Sequence, residues 1–109
     1  MHELAITESI VGAVTERVGD AKVIRVQLII GKLSGVVPEA VRFCFEVCAD
    51  GSPLAGARLD IIETPGRAEC RDCQADVQLD SLIALCACGS ANLHLLSGQE
   101  LRLTEVELA

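Results

Sequence analysis

CRDCQADVQLDSLIALCACGS, residues 70–90, is the stretch whose reading decides the rest of this chain. Cys70 and Cys73 form one close pair, Cys86 and Cys88 another, and twelve residues separate them. Two thiolate pairs on two short turns, joined by a segment long enough to double back, predict a tetrahedral sulfur cage for Zn²⁺. The interval holds too few large apolar residues to fold unaided, so a metal there is part of the folding free energy. The second pair is one residue shorter than the C-x₂-C of a zinc ribbon. Cysteines at i and i+2 in extended chain still point to one side, and Gly89 permits the tight turn that follows. Four sulfurs also close the coordination sphere, which leaves no place for a catalytic water.

The chain is 109 residues long, enough for one small domain carrying a metal-stapled module. Half of it is apolar, yet Phe43 and Phe45 are its sole aromatics, so the core must be aliphatic. The formal charge is −7, falling to about −9 when four thiolates hold one Zn²⁺. An acidic surface without aromatic platforms argues against nucleic acid, whose phosphates need Lys and Arg. No basic start followed by an unbroken apolar run marks a secretory signal, and no stretch is long enough to span a membrane. The expected setting is the reducing cytoplasm, where a spaced cysteine quartet reads as metal and the remaining cysteines as thiols.

Outward from the quartet, periodicity sets the order of elements. Ile6, Ile10, Val14 and Val18, with Val11 beside them, predict an amphipathic helix over 3–18, while Glu8, Arg17 and Thr7 fall elsewhere around the turn. Glu3 lies favourably near its positive N-terminal end. VIRVQLII, residues 23–30, predicts a central strand with Ile24, Val26, Leu28 and Ile30 on one face. Pro38 suits a first helical turn, and a second helix runs through about Ala49. Residues 57–63 read as a second strand. QELRLTEVELA returns as a last strand whose apolar parity shifts between Leu103 and Val106, which predicts a bulge near Thr104–Glu105. The fold class is α+β: a small mixed three-stranded sheet with two helices and an inserted four-cysteine, zinc-ribbon-like module. The expected division is 1–65 together with 98–109, and 66–97.

Other candidates are read beside their plainer alternatives. Cys44 and Cys48, one helical turn apart beside Val41 and Phe45, are core thiols. His94, in LHLLSG, is an exposed strand residue. GKLSG lacks the spacing of a nucleotide-binding loop. His2 is different: the α-amine of Met1, the amide nitrogens of residues 2 and 3, and the His2 imidazole can converge on one ion, and planar nitrogen coordination favours Ni²⁺ or Cu²⁺.

MHELAITESIV, IGKLSGVVPEAVRFCFEV, the CRDC and CACGS knuckles and SGQELRLTEVEL together resemble one family over nearly the whole chain, the HypA/HybF hydrogenase-maturation nickel metallochaperones. That resemblance implies a transient Ni²⁺ cargo held by Met1, His2 and Glu3, with His2 indispensable, and a structural Zn²⁺ held by Cys70, Cys73, Cys86 and Cys88. It also implies a HypB-type GTPase and the [NiFe]-hydrogenase large subunit as partners, with urease maturation proteins in some organisms. A monomer and a homodimer are both open. In some relatives a loop acid approaches the nickel; Val37 stands at that position here, and Glu39 is the nearest acid. Two other readings compete: a zinc-ribbon adaptor that only docks proteins, and a thiol redox protein. No nucleophile–base pair supports an enzyme.

Overall fold

The computed structural model describes residues 2–109. In chain order the elements are α1 (Glu3–Val18), β1 (Val23–Gly31), α2 (Pro38–Ala49), β2 (Arg58–Thr64), β3 (Gly66–Cys70), β4 (Asp76–Leu79), β5 (Leu93–Ser97) and β6 (Leu101–Leu108). They build two three-stranded sheets, ordered β2-β1-β6 and β4-β3-β5. β1 is central in the first, parallel to β2 and antiparallel to β6, so that sheet is mixed and the last strand closes it. The second sheet, antiparallel throughout, lies between β2 and β6 in sequence.

α1 stops at Gly19, whose φ of 63° only glycine adopts freely and whose amide donates to the Thr15 carbonyl at 3.0 Å. Its buried stripe differs from the one periodicity suggested. Glu3, Thr7, Val11 and Val14 are buried, while Ile6, Ile10 and Val18 are half-covered. Thr7 fits the interior because its hydroxyl donates to the Glu3 carbonyl at 2.6 Å, which satisfies its polar group locally. In β1 a register shift between Val23 and Arg25 buries Val23 and turns Ile24 outward, correcting the expected face. Val26, Leu28 and Ile30 do face the helices, as the alternation required. Val41 and Phe45 of α2, with Leu54 and Leu59, complete this core. Each such side chain, fully buried, contributes about 1.5–3 kcal/mol.

The expected bulge in β6 is present. Gln27 faces Glu105 and Leu28 faces Leu103, so Thr104 is the extra residue. Its hydroxyl donates to the Gln27 carbonyl at 3.2 Å. The bulge keeps Leu101, Leu103, Val106 and Leu108 on the helix side of the sheet, opposite Ile30, Leu28, Val26 and Val23. On the other side Arg25 sits among three carboxylates: Asp60 at 3.1 Å, Glu105 at 2.8 Å and Glu107 at 3.2 Å. One guanidinium thereby ties all three strands of the sheet.

The second sheet has a far smaller core: Leu33, Ala68 and Leu79, edged by Val77, Ala84, Leu93 and Leu95. Leu33 is not part of that sheet. It comes from the loop after β1, and its amide donates to the Gly98 carbonyl at 2.6 Å. The sheets meet where the chain crosses twice, from β2 to β3 and from β5 to β6. Gly66 and Gly98 approach there so closely that a Cβ on Gly98 would lie 2.7 Å from the Gly66 Cα. The result is elongated, 54 × 22 × 18 Å, with a radius of gyration of 17.2 Å, against about 13 Å for a compact globule of this length.

Candidate metal centre

The four cysteine sulfurs converge at the far end of the second sheet. One Sγ from each of Cys70, Cys73, Cys86 and Cys88 lies within 4.8 Å of the others. Cys70 and Cys88 sulfurs are 3.7 Å apart, and those of Cys73 and Cys86 3.5 Å. Four sulfurs at about 2.3 Å from a tetrahedral Zn²⁺ would be separated by about 3.8 Å. The donor set and its spacing thus fit a four-coordinate metal with no open position.

Two different turns deliver these sulfurs. Cys70 ends β3, and Gln74, at a φ of 61°, returns its amide to the Cys70 carbonyl at 2.8 Å. In the second knuckle the chain closes one residue sooner: Gly89, at a φ of 91°, donates to the Cys86 carbonyl at 2.8 Å, and Cys86 donates to the Ser90 carbonyl at 2.9 Å. The single residue between Cys86 and Cys88 is therefore matched by a tighter turn, and both sulfurs still reach the centre. The hydroxyl of Ser90 donates to the Asp72 carboxylate, clasping one knuckle to the other.

Backbone amides aim at the sulfurs. The Cys73 N–H, followed by that of Asp72, holds the Cys70 thiol at about 7, below its ordinary 9.0. Cys73 accepts the Ala75 amide, yet the neighbouring sulfurs of Cys86 and Cys70 push it up to about 12. Cys88 accepts from Ser90 and is likewise raised by Cys86 and Cys70. Sulfurs this close repel one another as thiolates, and a bound cation removes that conflict. His94 stands apart in β5, exposed, with the Arg71 guanidinium donating to its Nδ1 at 3.2 Å. Cys44 and Cys48 are half-buried on α2, and burial, with Glu8 nearby, raises the Cys48 thiol.

At the other end of the molecule, His2 is the N-cap of α1 and is exposed; its side chain makes no capping hydrogen bond, while its carbonyl accepts the Ile6 amide at 3.0 Å. Glu3 begins the helix and is buried, 7% exposed. Its carboxylate accepts the Val37 amide at 3.0 Å, which is the first cause of a pKa held down at about 2. Val37, the N-cap of α2, thus meets the N-terminal segment through its backbone, while its side chain is half exposed. Glu39 is exposed on the first turn of α2, and its side chain makes no hydrogen bond or ion pair with the described residues. Met1 lies outside the described residues. Composition and spacing alone gave no sign of the Val37 amide, the Ser90–Asp72 clasp or the Leu33 insertion.

A four-sulfur cage on a small helix-and-sheet scaffold defines a metal-handling protein. The family model described as hydrogenase/urease nickel incorporation, metallochaperone, hypA, matches residues 1–108. The chain belongs to this HypA family of metallochaperones for nickel incorporation, which are not enzymes. It is 49% identical over 108 residues to the hydrogenase maturation factor HypA of Nostoc punctiforme, covering 99% of this chain and 96% of that protein. To that of Geotalea uraniireducens it is 46% identical over 109 residues, covering 99% of each. Among solved structures, the Ni metallochaperone HypA from Helicobacter pylori is 27% identical, with a TM-score of 0.64, over 99% of this chain and 97% of that one. No helix among the described residues is long and apolar enough to cross a membrane.

Proposed function

We propose that this chain carries Ni²⁺ on its N-terminus, through Met1, His2 and Glu3, and that Cys70, Cys73, Cys86 and Cys88 hold a structural Zn²⁺. The observation that carries the nickel reading is the start of α1 at the second and third residues. His2 stands at the N-cap, and its imidazole is exposed and not spent on capping, so it is open to an ion at this end of the helix. Glu3 then contributes its backbone nitrogen, while its carboxylate stays with Val37. An ion held largely by backbone nitrogens at a chain end is released by local opening, as delivery requires. Those nitrogens must lose protons to bind, so affinity falls as the pH drops below neutral.

The tetrahedral thiolate set favours Zn²⁺ for the other centre, and its closure keeps it structural. The chain divides accordingly into a nickel-binding unit, residues 1–65 together with 98–109, and a zinc unit, 66–97. The cargo goes to the large subunit of a [NiFe]-hydrogenase, assisted by a HypB-type GTPase, in the cytoplasm; urease maturation proteins are a further class of recipient.

The test is a nickel titration of untagged protein with a native N-terminus, beside His2→Ala. Strong loss of nickel binding with zinc content unchanged supports the reading. Equal affinity in the two would sink it and leave a zinc-bearing adaptor.

A further inference from the structure

We infer that β6 is a docking edge for a second copy of this chain, pairing antiparallel with its own equivalent to join two three-stranded sheets into one of six strands. Two edges of the first sheet are candidates, and they differ. At β2 the Arg42 guanidinium reaches over from α2 and donates to the Leu59 carbonyl at 2.7 Å, so a backbone acceptor of that strand is already taken. β6 has β1 on one side and no strand on the other among the described residues. It nonetheless carries leucines: Leu101, Leu103 and Leu108 are 37%, 40% and 47% exposed, and the first two line an apolar groove with Ile6 and Ile10 of α1. A long edge bearing exposed leucines is a template for another strand.

The occupant follows from the order of residues in LRLTEVEL. Laid antiparallel against itself about an axis between Thr104 and Glu105, the strand sets Leu101 opposite Leu108, Leu103 opposite Val106, and Arg102 opposite Glu107. Each pairing occurs twice by symmetry. The faces also agree. The four apolar residues lie on the helix side of the sheet, and Arg102 and Glu107 on the other, because the bulge at Thr104 restores the parity. A bulge ordinarily protects an edge by disrupting its ladder. In this register the two bulges meet on the symmetry axis, and the flanking pairs on either side remain in step. The Arg102 side chain makes no hydrogen bond or close ion pair with the described residues, its charge acting only on nearby Glu100, and Glu107, already bonded to Arg25, remains half exposed. Shifting the register by two residues in either direction leaves fewer residues paired and separates Arg102 from Glu107.

The experiment is sedimentation over a concentration series on the zinc-loaded full chain, wild type beside Arg102→Glu, Glu107→Arg and the double exchange. Wild type should form a dimer. Each single reversal sets like charges opposite twice and should weaken it about tenfold or more. The double exchange should restore most of the affinity, with far-UV dichroism and zinc content checking that each variant is folded. A monomer at every concentration overturns the proposal. So does a dimer indifferent to Arg102→Glu, which uses another surface, and so does a double exchange that fails to restore pairing. A monomer whose β6 amides become protected only on adding an extended peptide would assign the edge to a foreign strand, and would overturn it too.

Discussion

The carboxylate of Glu3 and the amide of Val37, 34 residues apart in sequence, are joined by a 3.0 Å hydrogen bond. It fixes the first turn of α1 against the first turn of α2. The bond is the largest of the effects that favour the charged form of Glu3 and together lower its pKa from 4.5 to about 2. A depressed native pKa stabilises the fold above the unfolded value of 4.5, and that contribution is lost as the pH falls from there through about 2. In Val37→Pro the donor is gone, and the backbone there, at a φ of −91°, is close to what proline adopts. The Glu3 midpoint, followed by carbon NMR, should then rise toward 4.5. A midpoint that stays near 2 would show that Val37 is not its cause.

The same geometry separates two roles for Glu3. If the carboxylate anchors the helix and the nickel contact is the backbone nitrogen, Glu3→Gln should keep most of the nickel affinity, because the amide oxygen still accepts from Val37. Glu3→Ala should lose both anchoring and affinity. Calorimetry on the two variants checks this; equal, severe losses would place the carboxylate on the metal.

Removing the metal from the four-sulfur cage should unfold one sheet and spare the other. Leu33, Ala68 and Leu79 are too small a core to hold β3, β4 and β5 without it, whereas the cluster from Val11 to Leu59 lies elsewhere. On adding a chelator, amide resonances of residues 66–97 should collapse toward random-coil positions while those of α2 and β2 persist. Cys70→Ser should do the same without chelator.

Leu33→Ala tests the link between loop and module. Leu33 is 6% exposed and belongs to the second core despite coming from the loop after β1. Its truncation should cost about 3 kcal/mol, read as earlier loss of metal in a denaturant titration. The loop that carries Leu33 ends at Val37, which bonds Glu3. Chemical shifts at the start of α1 should therefore move as well. If they do not, the loop carries no signal between the two ends.

Two glycines give opposite signs. Gly98, at a φ of 111°, has the Gly66 Cα where a Cβ would go, so Gly98→Ala should destabilise by about 2 kcal/mol or more. Gly12 sits exposed within α1 with nothing within 4 Å, and Gly12→Ala should stabilise by about 1 kcal/mol. Thermal unfolding of both variants checks the contrast.

Much of this architecture is legible along the chain because it rests on local pattern. The alternation in β1, the proline opening α2 and the parity shift at Thr104 are each readable within a few residues. The cysteine quartet is legible for the same reason, since each knuckle is a single turn. What pattern misses are the contacts that depend on partners far away. Thr7 looks polar, and only its bond to the Glu3 carbonyl makes it an interior residue. Leu33, in a loop with two glycines, gives no hint that it packs under a sheet whose strands begin more than thirty residues later. Ile24 reads as a core residue from alternation alone, because the irregular pairing that makes it the extra residue against Leu108 and Glu107 shows only once β6 lies beside β1. At the nickel end the sequence points to His2, but not to the amide of Val37 that steadies its neighbour.

The closing of the first sheet by its last strand has a consequence for how the molecule is made. β1 is synthesised early and must wait for β6, the final strand, before its second edge is covered and Arg25 meets Glu105 and Glu107. Until then the nascent N-terminal half carries an open strand, a hazard for misassociation on the ribosome. Everything between β2 and β6 is the metal module, and pairing within it brings Ser97 against Arg67. Once that pairing forms, a long connection becomes a short one, and the entropy of bringing β6 home falls accordingly. Capture of the metal by the four sulfurs then hastens the homing of β6, and in a cell short of that metal the sheet at the opposite end would be completed more slowly.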